Sequence, residues 1–269
     1  MKSIRILSAM LLVASMLLLN ACDQPETAAV ESASIEKPAA QAPEPASAET
    51  GEQAGVIATI LEFEEVEADA EPFMTRMTVS DRFIRIDESA QADGFVLYDR
   101  IKKRIFSVVH GNQSILVVDP VRPLEAPPTD LEIKSVLVND DQVPSIGGIK
   151  PDYYQIFAND QLCYHLVAVD GFLPDVSTAL QSYQMVLAAQ QQASLINTPE
   201  ELQTPCFLAN FIYAPAEYGS KGFPVQQWDV SGYHRSLAGI EENVSVDGSI
   251  FDLPADYAYF SIGGGNLRM

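Results

Sequence analysis

From residue 56 onward the chain alternates short runs of β-branched and aromatic residues with clusters of Gly, Asn, Asp and Pro. In the run 73–80, Phe73, Thr75, Met77 and Val79 fall on one side of an extended chain and Arg76 and Thr78 on the other. Leu131, Ile133 and Leu137 alternate with Glu132 and Lys134 in the same way. Period-2 alternation with one polar side predicts half-buried antiparallel strands. Strands are predicted on this basis over 56–64, 73–80, 83–88, 95–99, 104–109, 114–119, 131–139, 153–158, 162–170, 207–213, 225–230 and 233–246. Gly111-Asn112, Asn159-Asp160 and Ser231-Gly232 each separate two such runs. These residue types accept the positive φ angles of two-residue hairpin turns, so consecutive strands should pair in a large meander.

One segment has a different period. Over 175–195, Val176, Ala179, Leu180, Tyr183, Val186 and Leu187 recur at spacings of three and four, which predicts an amphipathic helix. Asp175 or Ser177 is its expected cap and Asn197 its expected stop. Thr198-Pro199-Glu200-Glu201 then has the form of a capping box opening a short second helix. The predicted class is α+β and mainly antiparallel β: a curved meander sheet or incomplete barrel with one long and one short helix packed on one face.

The N-terminus carries a different signal. Lys2 and Arg5 precede an apolar stretch over 6–19, too short to span a bilayer comfortably and of the length of a secretory signal. It ends in Leu19-Asn20-Ala21-Cys22, which resembles the lipobox of bacterial lipoproteins. That resemblance implies a signal peptide over 1–21, cleavage before Cys22, and a Cys22 carrying diacylglycerol and an N-acyl chain such as palmitate. Two or three acyl chains, at about 0.8 kcal/mol per buried methylene, make a stable membrane anchor. Asp23 resembles the signal that retains enteric lipoproteins in the inner membrane. The expected location is therefore the periplasmic side of the cell envelope, the inner membrane favoured over the outer.

Residues 22–55 hold the lipidated cysteine and an Ala-, Pro- and Glu-rich stretch without an aromatic residue, the composition of a disordered tether. A single β-rich domain is expected over 56–260 and a flexible tail, containing Gly263-Gly264-Gly265, over 261–269. With Cys22 assigned to lipid, Cys163 and Cys206 are left in an oxidising compartment, where a disulfide between them is expected. It would enclose both helices and contribute roughly 4 kcal/mol by chain entropy. Free buried thiols or a redox pair are the alternatives, and neither cysteine lies in a Cys-x-x-Cys motif.

Charge and motif content narrow the function. A formal net charge of −21 excludes a protein that binds nucleic acid through its backbone charge. Losing residues 1–21 removes two cations and makes the chain more acidic still. The three histidines read as a solvent-exposed strand end (His110), a packed core residue sharing a strand face with Cys163 and Val167 (His165), and a turn-flanking residue beside Arg235 (His234). None has metal-ligand spacing, and there is no Gly-x-Ser-x-Gly, Ser-x-x-Lys or phosphate-binding loop. Glu62, Glu64, Glu65 and Glu67 read as a solvated strand end. The basic cluster Arg100, Lys102, Lys103 and Arg104 reads as an exposed hairpin loop, with contact to anionic lipid headgroups as its sharper alternative. No catalytic residue, metal ligand or cofactor is assigned, and a non-catalytic protein is expected.

The runs DRFIRID (81–87), GFVLYD (94–99), KRIFSV (103–108) and ILVV (115–118) are similar to exported lipoproteins of the lipoprotein-localisation (LolA/LolB-like) superfamily. GFPVQQWD (222–229), IFDLP (250–254) and Tyr257 extend the resemblance towards the C-terminus. It implies a half-barrel whose concave apolar side holds a lipid, a lipoprotein's acyl chains or another hydrophobic ligand. Val176, Leu180, Tyr183 and Leu187 would then form a lid or ligand face. The alternative is an envelope scaffold or protein-interaction module whose barrel is filled by its own side chains. Besides the membrane and such a ligand, the sequence names no partner.

Overall fold

The architecture is that of a computed structural model describing residues 55–269, apart from 89–92, 122–124, 139–144, 147, 263–265 and 268–269. Six strands form a first meander: β1 (Val56–Val66), β2 (Phe73–Ser80), β3 (Phe83–Glu88), β4 (Gly94–Asp99), β5 (Arg104–Val109) and β6 (Ser114–Val118). The second comprises β7 (Ile133–Val138), β8 (Asp152–Ala158), β9 (Gln161–Val169), β10 (Phe223–Asp229) and β11 (His234–Val246). Antiparallel pairing of β1 with β11 joins the two. Near the C-terminus β12 (Ala258–Ser261) adds to β6 in parallel, and β13 (Asn266–Leu267) pairs with β12. The order is β13-β12-β6-β5-β4-β3-β2-β1-β11-β10-β9-β8-β7, an open sheet not closed into a barrel. Part of the segment expected as a tail is thus tied into the sheet: Ser261 completes β12, and residues 266–267 turn back on it.

Turn chemistry sets the local register. Asn159 and Asp160, both in the left-handed region at φ 48° and 61°, link β8 to β9 as a two-residue hairpin. Between β9 and β10 lies the helical excursion. Its long helix, α1 (Pro174–Ser194), starts from Leu173 at φ 46° with Pro174 in its first turn, and Leu173 makes no side-chain cap. Neither Asp175 nor Ser177 caps it: the left-handed Leu173 already redirects the chain and Pro174 presets the first turn, so both lie inside the helix, at its second and fourth positions. A 3-10 turn over Leu195–Asn197 follows α1. The expected capping box opens only a 3-10 turn over Glu200–Leu202, with Pro199, not Thr198, at its N-cap.

Residues 207–213, predicted as a strand, are helical. Pro205–Leu208 form a single turn (α2), Ala209–Tyr213 a π-type turn and Pro215–Gly219 a short helix (α3). Thr204 Oγ1 accepts from the Phe207 N–H, Pro205 presets the first turn, and Cys206 is disulfide-bonded to Cys163 on β9, 43 residues earlier. A short apolar run has no periodicity that separates a strand from a buried helical turn. The excursion returns through Gly222 at φ 113°, where a Cβ would lie 2.5 Å from the Val169 carbonyl oxygen, leaving no room for a side chain.

Strand alternation and register define two sheet faces. On the first, Tyr98 of β4 meets α1: its hydroxyl and Ser182 Oγ are 2.8 Å apart, and its ring packs on Tyr183. Ile156, Leu166 and Ala168 continue this face beneath Ala214 and Tyr218. On the second face, Phe95, Leu97, Phe106, Val108, Ile115 and Val117 are buried under Phe251, with Ile250, Leu253 and Tyr257 beside it. Every residue of β4 is buried because helix covers one face and this C-terminal segment the other.

Candidate functional site

Beneath α1 the sheet carries a half-charged, tyrosine-rich interior. Glu65 and Arg235 are cross-strand partners on β1 and β11. Arg235 Nε lies 3.4 Å from Glu65 Oε1, with the side chains only 15% and 13% exposed. Tyr233 donates its hydroxyl to Glu65 Oε2 at 3.0 Å, and the Arg235 guanidinium stacks 3.8 Å over the Phe63 ring. Glu65 is therefore no part of a solvated strand end: alternation turns it inward, opposite an arginine, while Glu62 and Glu64 stay exposed. Burial pushes the Tyr164, Tyr183 and Tyr233 hydroxyls well above the ordinary phenol range, with Arg235 opposing and Glu65 adding to the shift.

The proposed lid residues come together on one side of α1. Val176 and Leu180 are buried, Tyr183 lies against Tyr98, and Leu187 is half-buried. Cys163 and Cys206 are joined as expected. Cys22 and Asp23 lie outside the described residues. The basic cluster divides: Arg100 donates to the Ser80 carbonyl and Arg104 pairs with Asp119, leaving Lys102 and Lys103 exposed. His110 is exposed, with its Nδ1 2.8 Å from the Tyr257 hydroxyl.

The second face of β8–β11 holds a group of residues that no local pattern in the sequence brings together. Register places Gln155, His165, Trp228 and His234 in one row across β8, β9, β10 and β11. His165 stacks on Trp228 with ring centroids 4.5 Å apart and planes 8° apart, and Tyr153 stacks on both. His165 is thus half-buried in an aromatic stack and not a core histidine, because it faces the open side of the sheet at this end. The Gln155 amide donates to the Tyr153 hydroxyl at 3.2 Å, and that hydroxyl is hydrogen-bonded to His165 Nδ1 at 2.7 Å. Burial lowers the His165 pKa, which favours the neutral imidazole. Gln226 Nε2 donates to His234 Nε2 at 2.9 Å, so that ring accepts at Nε2.

At the end of the row, beside the β10–β11 turn, an open cleft of about 280 Å³ is lined by Gln226, Trp228, Asp229, Gly232, Tyr233 and His234. Asp229 Oδ1 shapes the turn by accepting from Ser231 N, Ser231 Oγ and Tyr233 N. The two-residue Ser231-Gly232 turn expected between 225–230 and 233–246 would have set Trp228 opposite Arg235; the connection instead spans residues 230–233, which shifts the register by one and sets Trp228 opposite His234. Nor was the approach of His165 readable, because β9 and β10 are separated in sequence by the helical excursion. Among the described residues, no group of three or more His, Cys, Asp or Glu comes together as a metal site requires, and no helix is long and apolar enough to cross a membrane.

No protein-family model matches this chain, and no curated protein matches it. Among solved structures the chain is similar to PNGF-II in two crystal forms. One gives a TM-score of 0.39 at 7% identity, over 77% of this chain and 31% of that one. The other gives 0.38 at 6%, over 77% and 32%. The chain spans about a third of the length of PNGF-II, and a likeness of this size transfers neither a fold nor an activity.

Proposed function

We propose that this chain is a membrane-tethered envelope lipoprotein without catalytic activity, acting as an interaction module through the open end of its sheet. The observation that carries this reading is the fit of α1 against the sheet. Val176 and Leu180 are buried, Tyr183 packs on Tyr98, and Ser182 bonds the Tyr98 hydroxyl. A helix held through a part-buried hydrogen bond, worth about 1 kcal/mol, and an apolar stripe is a wall of the core, where a ligand lid would open easily. The apolar N-terminal stretch ending at Cys22 and the acidic, Ala- and Pro-rich linker supply the anchor and tether of this reading.

Two measurements test it. Cys22→Ala should move the protein from the membrane fraction to the soluble periplasmic extract and abolish labelling with radioactive palmitate; retention in the membrane would refute the anchor. Native mass spectrometry of detergent-free protein lacking residues 1–22 should give the mass of the bare chain. A bound acyl lipid, lost on Leu180→Trp, would instead favour the half-barrel reading, with α1 as lid over a lipid site.

A further inference from the structure

We propose that the cleft at Trp228 and Asp229 is a receptor for the guanidinium group of an arginine on a basic partner protein. The inference rests on the reading of this sheet face as the interaction surface. Elsewhere the molecule builds the same arrangement from its own residues three times. Arg85 stacks 3.8 Å over Phe95 and bonds Asp87 through Nε and Nη2, at 2.7–3.0 Å. Arg235 stacks 3.8 Å over Phe63 and meets Glu65. Arg82 lies 4.8 Å over Phe83 and 3.3 Å from Asp99. Each unit is an aromatic ring, a carboxylate close by and a guanidinium that satisfies both.

The cleft holds the first two parts without the third. Trp228 stacks on His165 and Tyr153 and lines the cleft; Asp229, the last residue of β10, lines it too where its carboxylate bonds Ser231 and Tyr233 of the turn. Among the described residues no cation lies over the Trp228 ring and none forms an ion pair with Asp229. All three hydrogen bonds to Asp229 within the turn go to Oδ1. Gln226 and His234 add polar edges, and Asp229 is the single charged residue of the lining. Its volume of about 280 Å³ lies at the small end of ligand sites and suits one head group. A planar cation stacked on indole gains the quadrupole attraction, and a guanidinium can also fork onto a carboxylate. The formal charge of −21 favours a basic partner and disfavours an anionic one.

Trp228 is the chain's only tryptophan, so intrinsic emission reports on this cleft. The experiment titrates the full-length lipidated protein in a non-ionic detergent with a short blocked peptide containing one arginine. The same peptide with citrulline, tetramethylammonium chloride and a neutral N-acetylglucosamine oligomer form the other arms. The arginine peptide should change the emission saturably, with half-saturation at about 1 mM, and citrulline should not. Asp229→Asn keeps the Oδ1 acceptor of the turn while removing the charge, and should weaken the response about fivefold; Glu242→Gln, an exposed carboxylate on β11 away from the cleft, should leave it unchanged. Overturning results are equal responses to citrulline and arginine, a tetramethylammonium response as strong as arginine's, saturation by the oligosaccharide alone, or no effect of Asp229→Asn. Failure here with Cys22→Ala still released from the membrane refutes only the guanidinium site; bound acyl lipid lost on Leu180→Trp refutes α1 as a wall of the core and leaves the open end of the sheet, and this site, standing.

Discussion

The two ends of the second sheet face differ in what covers them. Register connects them: Leu97 lies opposite Arg85 and Arg85 opposite Thr78; Met74, on the same side of β2, leads through Glu64 and Ser236 to Gln226. At the β3–β6 end, Phe251 stacks on Phe83 at 5.4 Å and seals an apolar patch. At the β8–β11 end nothing among the described residues seals the face, and the strands carry Tyr153, His165, Trp228 and His234 with amide partners. Apolar side chains at the first end gain by excluding water; the rings at the second gain by stacking while keeping polar edges wet. One face is therefore sealed for stability at one end and left open at the other, where the proposed function places the recognition surface.

Substitutions at either end can break this contrast. Phe251→Ala should have the largest effect, about 3–4 kcal/mol of lost stability from a cavity under the C-terminal segment, read as a lower urea midpoint. A loss below about 1 kcal/mol would mean that the segment merely rests on the sheet. Trp228→Leu at the open end should cost only about 1 kcal/mol, since a half-buried ring surrenders less burial. An effect equal to that of Phe251→Ala would make the platform a core.

The smallest effect is a pH dependence confined to the open end. Burial lowers the His165 pKa, so the folded state binds a proton less readily than the unfolded chain. The corresponding stability is fully present above the ordinary imidazole pKa of about 6.5 and is lost as pH falls from there towards the depressed folded value. His165→Phe should flatten the wild-type decline in urea midpoint between about pH 7.5 and pH 5. An unchanged decline would assign it to other groups.

Much of the skeleton was legible in local pattern. The strands over 73–80, 83–88 and 104–109 follow from alternation, the Asn159-Asp160 hairpin from residues that tolerate positive φ, and α1 from its spacing of three and four. The disulfide followed from cysteine arithmetic and is present. Local pattern failed at 207–213, where an apolar run fits a buried strand or a buried helical turn and the link from Cys206 to Cys163 selects the turn. It failed again at Glu65, whose neighbours suggested a solvated run, because only the β1–β11 register brings Arg235 opposite it. Of the cleft only the hairpin itself was visible: its register, which sets Trp228 opposite His234, follows from a longer turn than Ser231-Gly232 alone would make, and His165 and Tyr153 reach it across the helical excursion.

What the sequence determined by itself was therefore set by interactions a few residues long: alternation, turn chemistry, helical period, and an N-terminal pattern whose reading as a lipid anchor rests on the order of charge, apolar core and cysteine. The tertiary structure alone decided which strands lie side by side: β1 with β11, β9 with β10 and β12 with β6. Those pairings close long loops, whose cost depends weakly on length and whose reward depends on burial across the whole sheet. No window of sequence contains that sum, and it is the sum that leaves one end of a face sealed and the other open.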